Sequence, residues 1–344
     1  MTMRGGTRVL VRAARSGEGA AVAALWRELW DAHEQWGGYP GSHDARVYAQ
    51  VATRLDQDAR LRAGHALLGR HAHFVADLSG APCGQVEGWL DHLGESSTSP
   101  LTCEVRSLVV AHSARGKGAG RALLDALAVA ARDAAGRAPC ILAAEVLEPN
   151  PAHDFYARVG YAPVSWSARI DAPEGAVAPS SPIKTRLATP QDAIAIAELE
   201  DALAERRLAV GDGRFERPTL DATLVATLAA HLGVDPIAFP GDPATIVAVD
   251  ATGAVLAAAS VAVQSLEPPF LPLRRGLVGR FAVQPARPAR PLVRALVALG
   301  CRMAASHGAH YVELTDLSAP GTELHDAALA TGARPWSRVV TKRC

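Results

Sequence analysis

Two halves of this 344-residue chain repeat one another at a nearly constant spacing. Val110 recurs as Val283 and Arg121 as Arg294, each 173 residues on, and the turn pair Ser79-Gly80 recurs as Thr252-Gly253 at the same offset. The run HDFYARVGYAP is answered by HDAALATGARP, with His153 matched to His325. Each match alone is weak, but four in one order, three at an offset of 173 and one at 172, mark a duplicated fold. Between the halves lies DAPEGAVAPSSP, rich in Pro, Ala, Gly and Ser and without periodicity, which reads as a linker. The expectation is therefore an N-terminal domain over 1–170, a linker over 171–182 and a C-terminal domain over 183–344.

Composition narrows the class. Lys plus Arg balance Asp plus Glu at 35 each, so there is no global basic field for nucleic acid or an anionic membrane. No apolar stretch approaches the ~20 residues a membrane span needs, and MTMRGGTRVL lacks the apolar core of a signal peptide. The expected location is the cytoplasm. The five cysteines, Cys83, Cys103, Cys140, Cys301 and Cys344, are widely spaced without a C-x-x-C pair and read as reduced structural thiols.

Local pattern then orders the first half. RVLVRAA reads as a strand; Ser16 and Glu18 stand as cap and first-turn acid of a helix through AAVAALWRELW. HFVAD, LSGAP and CGQVEGWLD read as a hairpin, and TCEVRSLVV as a strand turning wholly apolar at its end. LLDALAVAARDAA is an amphipathic helix stopped by Gly136, followed by the buried strand CILAAEV and the helix PAHDFYARV, stopped by Gly160.

Between the third strand and the long helix sits SARGKGAGRA, with three glycines and three cations in ten residues. A glycine-rich turn feeding the first turn of a helix leaves backbone N–H groups pointing outward, which makes an anion site. Glycine permits positive φ and close approach, the helix end carries partial positive charge, and Arg115, Lys117 and Arg121 add full charges. A pyrophosphate suits such a turn. The spacing is neither G-x-x-x-x-G-K-[ST] nor G-x-G-x-x-G, so the nucleoside triphosphatase and dinucleotide turns are disfavoured.

EVRSLVVAHSARGKGAGRALL, then a strand, then EPNPAHDFYARVGYAP resembles the acyl-CoA-binding core of the GNAT acetyltransferase superfamily. The family's R/Q-x-x-G-x-G/A is matched by Arg115, Gly118 and Gly120, and its N-x-x-x-x-F-Y-x-x-x-G-Y/F by the run from Asn150 through Phe155, Tyr156 and Gly160. The resemblance covers 7–168 by motif and 183–344 in architecture only. It implies an α/β (α+β) fold of two GNAT-like domains, each a mixed central sheet flanked by helices with a splayed acyl-CoA cleft.

The resemblance also implies roles. The amides of Arg115, Gly116, Lys117, Gly118, Ala119 and Gly120, with the charge of Arg121, would hold the coenzyme A pyrophosphate. Leu108, Val109 and Val110 would pair through their backbone with the pantetheine arm, and an amide there would stabilise the thioester oxyanion. Asn150 matches an asparagine that bonds that arm; as a residue it equally suits a cap for the next helix. Phe155 packs on the sheet, and Tyr156 would protonate the departing thiolate. Glu104 would face the cleft if the strand alternates regularly, either as the base for an incoming ammonium or as an exposed strand glutamate.

Carried through at 173, the offset turns Arg115 into Pro288, Gly118 into Pro291 and Gly120 into Val293, while Tyr156 becomes Ala328. Proline removes an amide donor and valine blocks approach, so the second half is expected not to hold acetyl-CoA. His71 and His73 share a strand face without a third ligand, which reads as a solvated strand with no metal. Trp36 and Tyr39 are candidates for an acceptor wall or a packed loop, and RRGLVGR, 274–280, reads as a solvated strand entrance. The expected function is N-acetyl transfer from acetyl-CoA to a primary amine of a small molecule or peptide. The alternatives are a protein in which the N-terminal coenzyme is structural or regulatory, and catalysis in the C-terminal half with another acyl donor.

Overall fold

The computed structural model describes residues 9–92, 100–173, 183–215, 217, 219–233, 243–271, 273–285 and 287–344. It divides into two compact units: residues 1–162 with 267–271 and 340–344, and residues 163–266 with 272–339.

Unit 1 runs β1 (Val9–Ala13), α1 (Gly19–Gln35), α2 (Ala45–Arg62), β2 (Leu67–Leu68), β3 (His71–Leu78), β4 (Ala81–His92), β5 (Leu101–Val110), α3 (Ala119–Ala135), β6 (Cys140–Leu147) and α4 (His153–Arg158). The sheet order is β1–β3–β4–β5–β6, antiparallel up to β5 and parallel between β5 and β6, with β2 on β3. Two cores cover it. Leu123, Leu127 and Ala131 of α3 pack with Val86, Leu90 and Cys103. Trp26 and Trp30 of α1 pack with Val51 and Leu55 of α2 and with Val75. The spacing of four between these positions puts them on one face of each of the three helices.

The start of α1 differs from its expected cap. Glu18 is the flanking residue and its carboxylate pairs with Arg12. Asp56 of α2 instead accepts from the amides of Gly17 and Gly19, both at 2.8 Å, so a tertiary partner caps the helix.

Unit 2 contains β7 (Ala162–Ile170) beyond its first residue, β8 (Lys184–Leu187), α5 (Ala193–Ala209), α6 (Ala222–His231), β9 (Ala244–Val249), β10 (Val255–Ser265), β11 (Arg274–Val283), α7 (Ala289–Ser306), β12 (Tyr311–Leu317) and α8 (Glu323–Leu329). The last strand, β13 (Arg334–Arg343), belongs to unit 2 up to residue 339. The order β7–β12–β11–β10–β9–β8 repeats the unit 1 plan, with β11 and β12 parallel. RRGLVGR is thus part of a central strand, paired with β10 over Arg274–Gly279 and with β12 over Arg275–Val278, and not a solvated entrance.

The units trade chain ends. β7, which follows α4 directly, pairs with β12 in unit 2, whereas residues 340–344 belong to unit 1, where Cys344 N donates to Cys140 O at 2.9 Å. The bounds of the compact units therefore depart from 1–170 and 183–344 at three places: 163–170, 267–271 and 340–344. Among the described residues no helix is long and apolar enough to cross a membrane.

Candidate active site

In unit 1, β5 and β6 pair from Leu101 opposite Cys140 to Val105 opposite Ala144, and the register ends there. Both strands continue for several residues, so they splay, leaving the β6-facing edge of Arg106–Val110 without a strand partner in the register. A bulge sits at the splay. Gln85 faces Val109 but Glu87 faces Arg106, so β5 holds one extra residue, and Ser107 has a φ of +52°. The bulge is pinned by Gln85, whose Nε2 donates to Ser107 O at 2.7 Å, and His73 Nε2 lies 2.8 Å from Gln85 Oε1. It also resets the alternation: Leu101, Cys103 and Val105 face the α3 core, and after the bulge Leu108 and Val110 do.

At the end of β5 the glycine turn leads into α3. Gly116 and Gly118 have φ values of +76° and +85°, with open space where a Cβ would stand, and Gly118 is the residue flanking the helix start. The first-turn amides thus face solvent beside exposed Arg115, Lys117 and Arg121. Packing also calls for a glycine at 120, where a Cβ would stand 3.1 Å from the Phe155 ring. Arg115 donates from Nε to Val110 O and from Nη2 to Glu28 of α1, both at 3.1 Å, while Arg121 reaches Arg158 O at 3.4 Å. Glu28 also accepts from His112 N, which makes it an organiser of the turn that the sequence reading did not single out.

The remaining candidates gather around the splay. Tyr156 is 7% exposed, with its ring against Phe155 and Tyr161, and burial holds its hydroxyl well above the usual tyrosine range, hence protonated. Asn150 Oδ1 accepts from Ala152 N at 2.9 Å, the capping role the sequence allowed. Glu104 lies with Thr102 and Arg106 on the face opposite the α3 core, half exposed, and is bound by Arg106 at 2.7 Å.

On that same face stands a buried polar group that sequence reasoning did not assemble. His73 is 1% exposed, not solvated. Arg62 Nη2 is 2.6 Å from His71 Nδ1; a guanidinium only donates, so the His71 proton sits on Nε2, 3.2 Å from Glu87 Oε1. Burial raises Glu87, but His71 and His73 outweigh it and hold its carboxyl below the usual range. Burial, the largest influence on His73, lowers it below the usual histidine range. His71 stacks on Trp89, and the Arg106 guanidinium lies over the same tryptophan ring at 5.7 Å. Gln85 and Glu87 lie in a segment that reads as a strand, but their burial, at 0% and 5% exposed, depends on partners from other elements. Among the described residues no cluster of His, Cys, Asp or Glu could hold a metal ion. Trp36 ends α1 against His33, and Tyr39 packs edge-on to Phe270, whose segment belongs to unit 1.

The turn in unit 2 is shorter than the constant offset implied. Eight residues separate Val110 from Ala119, but five separate Val283 from Ala289, so Gly118 corresponds to Pro288, the residue flanking α7, and not to Pro291. A proline lacks the donor and five residues cannot form the same turn.

Residues 69–163 match the acetyltransferase (GNAT) domain family. This segment is a GNAT domain. Among solved structures, a GCN5-related N-acetyltransferase from Sphaerobacter thermophilus is 17% identical, covering 97% of this chain and 95% of its own, with a TM-score of 0.58. A tandem GNAT protein from the clavulanic acid biosynthesis pathway is 19% identical over 98% of both chains, with a TM-score of 0.50. A GCN5-related glucosamine N-acetyltransferase region of a fungal multi-domain β-N-acetylglucosaminidase is 16% identical, covering 98% of this chain and 38% of that one, with a TM-score of 0.53. No curated protein matches the chain. The fold is thus a tandem GNAT fold, and the GNAT assignment carries acyl transfer as the general chemistry of its family.

Proposed function

We propose that the chain is an N-acetyltransferase that moves an acetyl group from acetyl-CoA to a primary amine of a small molecule or peptide, with the chemistry in unit 1. The observation that carries this reading is the splay after Val105 and Ala144, opening beside a helix start whose two flanking glycines hold positive φ. The amides of 115–120 and the charges of Arg115, Lys117 and Arg121 suit a pyrophosphate, and the backbone at Leu108 and Val110 suits an extended amide arm. Acetyl-CoA supplies the activated acyl group. Val109 holds the strand from the far face, and Asn150 and Phe155 shape the α4 side. Tyr156, held protonated by burial, is the donor for a departing thiolate. Glu104 takes the ammonium proton once Arg106 is displaced by the acceptor.

The pairing of Glu104 with Arg106 and the burial of Tyr156 favour a second reading, in which the coenzyme seat is structural or regulatory. Release of free coenzyme A is to be followed against a panel of primary amines, for the wild type and for Tyr156→Phe with Glu104→Gln. Loss of about 10²-fold or more in kcat with retained acetyl-CoA affinity supports catalysis. Unchanged turnover in the double variant would sink these assignments, and no turnover with tight coenzyme binding would support the second reading.

A further inference from the structure

Unit 2 repeats the splay and the bulge but fills them with arginine. β11 and β12 pair from Arg275 opposite Tyr311 to Val278 opposite Leu314 and no further. The β10–β11 register slips between Ala258 and Ser260, and Arg280, with a φ of +53°, stands where Ser107 stands in unit 1. Gln284 N donates to Leu256 O on the β10 side, so alternation turns the carbonyls of Phe281 and Val283 toward the open edge. Arg206 of α5 donates to both, at 3.3 and 3.5 Å, long contacts that leave its head exposed.

Next to it, Arg207 is 9% exposed and lies over the Phe215 ring at 3.8 Å. Its Nη2 reaches to 3.2 Å from Asp316, on β12 beyond the last registered pair, yet makes no hydrogen bond. Asp316 also has a positive φ, +57°, so backbone strain marks both strands at the splay. Arg280 is bound by Glu200 at 2.6 Å. Arg207 thus reaches Asp316 without a hydrogen bond, Arg280 is bound by Glu200, Arg214 beside the same Phe215 ring is bound by Asp212, and Arg206 meets backbone carbonyls. A guanidinium does not lose its proton, so burial without a hydrogen-bonded anion is a standing cost that an added oxyanion removes. Burial outweighs Asp316 in setting the balance at Arg207.

We propose that the splay of β11 and β12 in unit 2 binds a small oxyanion, the carboxylate or phosphate group of a small molecule, with Arg207 at its floor and Arg206 at its mouth. Guanidinium groups suit both chemistries through paired N–H donors. The site is separate from the glycine turn of unit 1, and the proposal stands whether or not unit 1 transfers acetyl groups.

The full-length chain is to be titrated calorimetrically with succinate and, separately, with inorganic phosphate, at ionic strength held constant with chloride. Saturable binding of either anion is expected, and the stronger of the two identifies the group recognised. Arg207→Gln is expected to weaken it at least tenfold, and Arg206→Gln, at an exposed position that does not test the core, to weaken it as well. Inorganic phosphate also suits the unit 1 glycine turn, so the arginine variants are compared in a Gly118→Val background, which removes that turn and is expected to retain the arginine-dependent binding. Binding of neither anion, binding in that background that survives both arginine variants, or loss of all binding on Gly118→Val would each overturn the proposal.

Discussion

At the scale of single residues, the glycines of the turn divide by what a side chain would meet. Gly118 holds a φ of +85° at the start of α3, a conformation that costs an L-residue roughly 1–2 kcal/mol, more for a β-branched one. Gly118→Val is therefore expected to deform the turn and abolish acetyl-CoA binding by calorimetry, with the melting temperature lowered only slightly because the site is exposed. Gly120→Val acts differently, by displacing the Phe155 ring, and is expected to lower stability as well as affinity. Protonation offers a second residue-scale test. Burial against Trp30 and Trp36 lowers His33 to about 4, with Nδ1 lacking a hydrogen-bond partner. An unfolded histidine titrates near 6.5, so between about 6.5 and 4 the unfolded chain gains a proton that the native one refuses. Stability is full above that window and falls by up to roughly 3 kcal/mol through it. Urea melts across this range are expected to show the slope in the wild type and a flatter profile in His33→Gln.

At the scale of elements, β4 and β5 carry the site because a bulge, a side-chain pin and a truncated register act at one place. Glu87 of β4 meets His71 of β3, which in turn contacts Arg62 of α2. Arg62→Met leaves the His71 Nδ1 acceptor without its partner and is expected to cost about 1–3 kcal/mol by chemical denaturation. The β6 edge offers another test. Cys140 Sγ and Cys344 Sγ stand 2.8 Å apart as free thiols, and the contact with Cys140 lowers Cys344 while it raises Cys140. Burial pushes Cys103 and Cys301 up to about 12, which keeps them inert. Treatment with diamide, which takes up the two thiol hydrogens, is expected to join Cys140 to Cys344 alone, as read by peptide mapping.

At the scale of the molecule, the two halves of the repeat are not independent parts. Residues 340–344 complete unit 1, with Val340 4% exposed in its core, and Phe270, from the second half of the chain, lies 4.4 Å from Trp30. Deleting 340–344 removes a buried valine and the backbone bond to Cys140, and is expected to lower stability by about 2–4 kcal/mol in urea melts. A fragment ending at 170 lacks both intruding segments and is expected to be less soluble and less stable than the whole chain, measured by yield and melting temperature.

What the sequence determined by itself is what short-range physics writes locally. The strand, glycine turn and helix around Arg115–Arg121, the hairpin turn at Ser79-Gly80 and the duplication of the plan all follow from periodicity and from residues that permit positive φ. The tertiary structure decided whatever depends on a partner distant in the chain. Asp56 caps α1, Arg62 reaches His71, Phe155 packs against Gly120, and β7 pairs with β12 while 340–344 joins β6. Such choices turn on which apolar faces and unpaired backbone edges meet once the chain is compact, and no local pattern encodes that meeting.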